Sequence, residues 1–134
     1  MGRKRIGVLA AVLALCTLAG PPARAHHSFA AAFDAESPIT VSGVITEVRL
    51  ENPHSWFFLD STDADGAVTH WAFEAGTPTS IIRSGLKPGF VKAGDKVTIK
   101  GYHAWDASRN MGAARELAVE DGSRFAIGPS FGAR

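Results

Sequence analysis

The sequence predicts an all-β domain with one short helix. Three observations carry that prediction. Runs rich in β-branched and aromatic residues alternate apolar and polar positions, the pattern of half-buried strands. Clusters of Gly, Pro, Asn and Asp punctuate those runs, as at 51–54, 63–66 and 106–110. A single stretch, opening on Thr77-Pro78, combines an N-cap residue with a first-turn proline. The chain has 134 residues, 46% of them hydrophobic, and a formal net charge of +1. That suits one domain and argues against collagen, coiled coil and a multi-span membrane protein.

Residues 1–25 read as a signal peptide. Arg3, Lys4 and Arg5 form a positive start, 6–18 is apolar and uncharged, and Ala23-Arg24-Ala25 matches an A-x-A cleavage site. The apolar run falls short of the roughly 20 residues a membrane span needs. Its Cys16 follows Leu15, not the small residue of a lipoprotein signal, so the cleaved chain keeps no cysteine and no disulfide framework. Cleavage removes four cations and no acid, turning the formal charge from +1 to −3. The expectation is a periplasmic or secreted protein with no membrane span after cleavage. Nucleic acid is a poor partner for it, because phosphate binding needs clustered Lys and Arg, and the lysines here are scattered among Gly and Pro turns.

The elements follow in order. Residues 26–38 form an N-terminal segment in which Phe29 and Phe33, four apart, suit one helical turn or a clamp on the core, with Pro38 ending it. A long strand covers 39–50, and its alternation slips phase around Gly43, which suggests a bulge or sharp bend. After the turn at 51–54, strands are expected at 56–60 and 68–75, joined by the Asp63–Gly66 hairpin signal. Asp63 and Asp65 read as turn residues, since the Glu that closes a calcium loop is missing. A short helix follows through Ile81 and Ile82, closed by Gly85. Strands at 96–103 and 111–119 come next, then a hairpin at Asp121-Gly122 and a short strand at 124–127. The domain thus spans 39–127, with 128–134 as a flexible tail. Three strands, a short helix and two or three more strands is the order of an OB-type, five- or six-stranded Greek-key barrel; another small β-barrel or sandwich is the alternative.

Several motifs resemble an uncharacterised bacterial family of small secreted proteins of unknown function. They are His26-His27-Ser28-Phe29 after the leader, Asn52-Pro53-His54-Ser55-Trp56, the acidic 63–66 hairpin, Trp71-Ala72-Phe73-Glu74, Pro78, Arg83-Ser84-Gly85, and Gly94-Asp95 followed by Gly101. The chain departs from the pattern at Leu86 and Trp105. The resemblance implies secretion and an OB-like fold, and it carries no activity.

Histidines supply the candidate chemistry. Cleavage after Ala25 would make His26 the first residue, whose α-amine and imidazole can chelate one metal ion. A third nitrogen, from His27 or an approaching His54, His70 or His103, would complete a T-shaped set suited to Cu(II). His26, His27 and His54 are therefore the metal candidates, and copper the one cofactor considered. Separately, His54 and Trp56 lie two apart, as do His103 and Trp105, so in extended chain each pair shares a face. The loops after strands one and four of an OB barrel lie near one ligand region, which makes His54, Trp56, His103 and Trp105 the ligand-binding candidates. His70 neighbours Trp71, so if Trp71 and Phe73 face the core, His70 and Glu74 face out together.

No catalytic residue is singled out: there is no GxSxG, no HExxH and no glycine-rich phosphate loop. The function expected is a small exported binding module for an unknown small ligand or protein. The alternatives are a Cu(II)-binding protein using His26, or a structural interaction domain.

Overall fold

The computed structural model describes residues 29–129. The expected signal peptide with Cys16, the His26-His27 pair and residues 130–134 lie outside the described residues. The elements run α1 (Phe29–Ala32), β1 (Phe33–Arg49), β2 (Trp56–Thr62), β3 (Val68–Glu74), α2 (Pro78–Arg83), β4 (Lys96–Ala104), β5 (Met111–Val119) and β6 (Arg124–Ala126). Among the described residues the fold is mostly antiparallel β-sheet with two short helices.

β1 pairs antiparallel with both β2 and β4, β2 with β3, β4 with β5, and β5 with β6. One pairing is parallel: β3 meets β5 from Ala72↔Met111 to Glu74↔Ala113. Following partners from β1 through β2, β3, β5 and β4 therefore returns to β1. Each strand turns alternate residues inward. Phe57 and Leu59 of β2, Phe73 of β3, Ile99 of β4 and Leu117 of β5 are fully buried. Ile45 of β1 joins them, with Ile81 from α2 and Ile127 after β6. Burying each such side chain stabilises by about 1.5–3 kcal/mol.

A second, smaller apolar cluster forms on the other side of the sheet. Phe33, Ala104 and Ala113 are buried there, with Phe29, Ala32 and Met111 packed against them. The alternation of β5 explains the division: Ala114 belongs to the main core and Ala113 to the outer cluster. α1 and the start of β1 therefore cover the outer face of β4 and β5.

The strand boundaries expected from sequence mostly hold within a residue or two, with two corrections. β1 begins at Phe33, not 39, and runs through Pro38. The helical turn stops at Ala32 without any help from that proline. Pro38 is tolerated because the ladder is irregular just before it: Phe33 pairs Ala104 and Pro38 pairs Tyr102, so the intervening residues loop out of register. An Asx turn, in which Glu36 N–H donates to Asp34 Oδ1 at 2.9 Å, shapes that loop. The second correction concerns the phase slip. The bulge falls between Ile45 and Glu47, not at Gly43. Gly43 instead marks a close approach: a Cβ there would stand 2.3 Å from the Asp60 carbonyl oxygen.

α2 follows its sequence signals closely. Thr77 Oγ1 accepts a hydrogen bond from Ser80 N–H, and Pro78 occupies the first turn. Gly85, at φ +100°, supplies the left-handed residue that ends it. The turn before β2 contains a cis Asn52–Pro53 peptide. Beyond it, Ser55 N–H donates to the Gly76 carbonyl, and Ala75 N–H to the Ser55 carbonyl, extending the β2–β3 ladder to bring His54 beside the end of β3.

Candidate functional site

Outward-facing residues of β2 and β3 form one surface. Trp56 pairs with Glu74, Phe58 with Ala72, and Asp60 with His70. Their inward neighbours Phe57, Leu59 and Phe73 are sealed in the core, so alternation leaves these side chains outside. Trp56 and Phe58 stack with centroids 6.2 Å apart and planes 21° apart. From β1, the Arg49 guanidinium lies over the Phe58 ring at 4.7 Å from its centroid. Glu47 holds Arg49 there through two hydrogen bonds of 2.6 and 2.9 Å. Those bonds push the Glu47 carboxyl below its ordinary range and raise the Arg49 guanidinium above its own.

Two histidines complete the surface. His54 Nδ1 meets the Glu74 carboxylate. His70 Nδ1 meets Asp60 Oδ1 at 2.6 Å. A carboxylate oxygen accepts, so each Nδ1 carries a proton. Beside His70 lies an open groove of about 350 Å³, lined by Thr46, Phe58, Asp60, His70, Trp71, Ala72 and Asn110. Thr46 reaches it because the β1 bulge sits at that position. Each carboxylate on this surface has a partner: Glu47 the Arg49 guanidinium, Glu74 the His54 ring and Asp60 the His70 ring.

The four ligand-binding candidates do not share their closest partners. His54 and Trp56 belong to this surface. His103 contacts Trp71 edge-on, with centroids 5.6 Å apart, and its Nδ1 donates to the Ala104 carbonyl at 2.8 Å. Trp105 is 59% exposed, but its polar atoms are engaged elsewhere. Its indole N–H donates to the Ala30 carbonyl at 2.9 Å, and its backbone N–H to Ala32 at 3.2 Å. Trp105 therefore fastens α1. The expectation for β3 is met by geometry: Phe73 is buried, Trp71 packs against the core, His70 is exposed and Glu74 faces outward. Among the described residues, no group of three or more His, Cys, Asp or Glu is placed to hold a metal ion, and no helix is long and apolar enough to cross a membrane.

A larger groove, about 420 Å³, crosses β1, β4 and β5. Four of its polar residues pair with one another: Ser42 and Thr98 share a 2.8 Å hydrogen bond, and Lys96 meets Glu120 at 3.5 Å. It has no aromatic wall. The β2–β3 surface, with its stacked rings and its His–carboxylate pairs, is the better candidate.

A model of a family of unknown function (DUF6152) matches residues 14–114. The chain belongs to the DUF6152 family. This agrees with the uncharacterised family that the sequence resembles. No curated protein and no solved structure matches the chain. The site of this DUF6152 chain must therefore be read from its own residues. Reading the sequence by pairs such as His54/Trp56 missed Phe58, though the same two-residue spacing extends from Trp56 to it. It missed Arg49 and Asp60 because their partners arrive through strand pairing.

Proposed function

We propose that the protein is an exported, OB-type binding module that holds an uncharged, ring-bearing small ligand of the saccharide class on the outer face of β1–β3. The stacked Trp56/Phe58 pair carries this reading, because it leaves partly exposed aromatic surface on the sheet beside the Arg49 guanidinium. The pairing circuit β1-β2-β3-β5-β4 supports the OB-type assignment, and in such barrels the face of strands two and three is a usual ligand surface. The charged leader start, apolar run and A-x-A site support export.

Charge pairing selects the ligand class. Arg49 is already held by Glu47, and Glu74 and Asp60 add carboxylates beside it, so the surface disfavours an anion such as a phosphate. Thr46, His70 and Asn110 line the groove beside Phe58 and bring hydrogen-bonding groups to a polyhydroxylated ring. The test is titration with maltotriose, cellotriose and chitotriose, followed by amide chemical shifts and tryptophan fluorescence. Shifts centred on β2 and β3 for one of them, lost in Trp56→Ala and kept in Trp105→Ala, are expected. No shift with any of the three, or shifts indifferent to Trp56→Ala, overturn the reading.

A further inference from the structure

We propose that residues 82–92, the end of α2 and the loop leading to β4, dock onto the surface of a lipid bilayer rich in anionic headgroups. Charge is the first reason. All 13 Asp and Glu of the chain lie outside residues 75–94, and that stretch holds Arg83, Lys87 and Lys92. Lys92 meets Asp95 at 3.4 Å. Among the described residues Arg83 and Lys87, both exposed, form no ion pair. On the adjoining β5–β6 pair, Glu116 is shared by Lys100 at 3.6 Å and Arg124 at 2.9 Å, so it adds no free acid. A cationic stretch in a chain of nearly balanced charge selects an anionic partner.

Exposed apolar side chains are the second reason. Ile82 is 45% exposed and Phe90 46%. Ile81, Leu86 and Val91 of the same segment are sealed in the main core and pin it in place. Contacts bring Ile82 and Phe90 to one end of the molecule. Phe90 meets Phe125 edge-on, with centroids 5.4 Å apart. A Cβ at Gly85 would stand 3.9 Å from that same Phe125 ring. Gly85 N–H in turn donates to the Ile82 carbonyl at 3.0 Å. Phe125 therefore joins the end of α2 to Phe90, and the cations lie between the two apolar residues in the chain.

Shape is the third. The Lys87 carbonyl accepts from Phe90 N–H at 3.1 Å, around Pro88 and a Gly89 at φ +80°. Proline followed by a left-handed glycine is the sequence of a type II turn. A Cβ at Gly89 would meet nothing within 4 Å, so the tip of this turn stands clear of the rest of the molecule. Lys87 and Phe90 are its two feet. The grooves of about 350 and 420 Å³ are lined by other residues, so the partner meets a convex tip and not a cleft. A bilayer surface fits that shape: Phe90 and Ile82 reach the acyl boundary while Arg83 and Lys87 stay among the headgroups.

The test is co-sedimentation of the purified protein with two kinds of vesicle, phosphatidylcholine alone and phosphatidylcholine mixed with phosphatidylglycerol. Binding to the mixed vesicles is expected, weakening as salt is raised. Arg83→Glu combined with Lys87→Glu should lower that affinity about twentyfold or more. Phe90→Ser should also weaken it, and Phe90→Trp should preserve it. Trp56→Ala should bind vesicles like the parent, which separates this surface from the saccharide face. If Phe90→Ser fails to fold, the double charge reversal, at two exposed positions, still decides. Absence of binding to the mixed vesicles overturns the proposal. So does equal binding to both kinds of vesicle, or binding that the charge reversal leaves unchanged. Capture of polyglutamate by this segment in place of the vesicles would overturn it in favour of an acidic protein partner.

Discussion

Two outer faces of the same sheet meet water differently. On β4 and β5, Ala113, Ala104 and Met111 lie under Phe29, Ala32 and Phe33, and the chain's own start seals them. On β2 and β3, Trp56 and Phe58 remain half-exposed, with only Arg49 resting on Phe58. Both faces carry apolar side chains, so composition alone does not explain the difference. The covered face has small residues, over which an α1 turn and a β1 bulge can settle. The open face carries large flat rings whose edges are framed by ion pairs. Apolar surface left open beside ordered polar groups is what a binding surface requires, whereas apolar surface that only stabilises is better buried.

Substitutions can break or sharpen that comparison. Phe33 is 3% exposed and central to the covered cluster. Phe33→Ala should destabilise the protein by about 3–5 kcal/mol, as truncating a buried Phe does. Chemical denaturation measures this, and a loss under 1 kcal/mol would show that α1 is not a true seal. Phe58→Ala on the open face should cost only about 1 kcal/mol, the worth of an aromatic pair plus an exposed cation–π contact. It should nevertheless abolish saccharide shifts, and equal stability losses for Phe33→Ala and Phe58→Ala would erase the distinction between the faces. Trp105→Phe removes the indole donor to Ala30 at an exposed site. A loss of about 0.5 kcal/mol is expected. Amide exchange should quicken in α1 and stay unchanged in β2.

The smallest expected effect is on pH dependence. The carboxyl of Asp106 lies below its ordinary range, chiefly because the Ser108 hydroxyl donates to it, and Asp121 is lowered by the Ser123 N–H. A carboxyl lowered in the folded state stabilises above its unfolded pKa and loses that contribution as pH falls through the folded value. Acid titration of stability should therefore be slightly shallower in Asp106→Asn and Asp121→Asn. A slope identical to the parent's would show that these turn bonds do not persist in solution.

Much of this was legible in order along the chain. The Thr77-Pro78 cap, the Gly85 stop and the 111–119 strand are local signals, and each appears where its residues put it. Pro38 was misleading for an equally local reason. As a helix breaker it suggested an ending, but proline also fits a strand where the ladder is interrupted, and only β4 reveals that interruption. The site was half legible. Alternation put His54 and Trp56 on one face and His70 with Glu74 on one side, yet the pairings that matter, His54 with Glu74 and His70 with Asp60, join residues from different segments.

The sequence by itself determined which segments extend, where they turn and which residues of each strand share a side, because those depend on periodicity and turn chemistry within a few residues. Only the tertiary structure decided that β3 pairs with β5, that Trp105 fastens α1, and that one outer face is sealed while the other stays open. Those outcomes depend on contacts between residues far apart in the chain, such as Trp105 with Ala30, and no local pattern encodes which distant surface a strand or helix will meet.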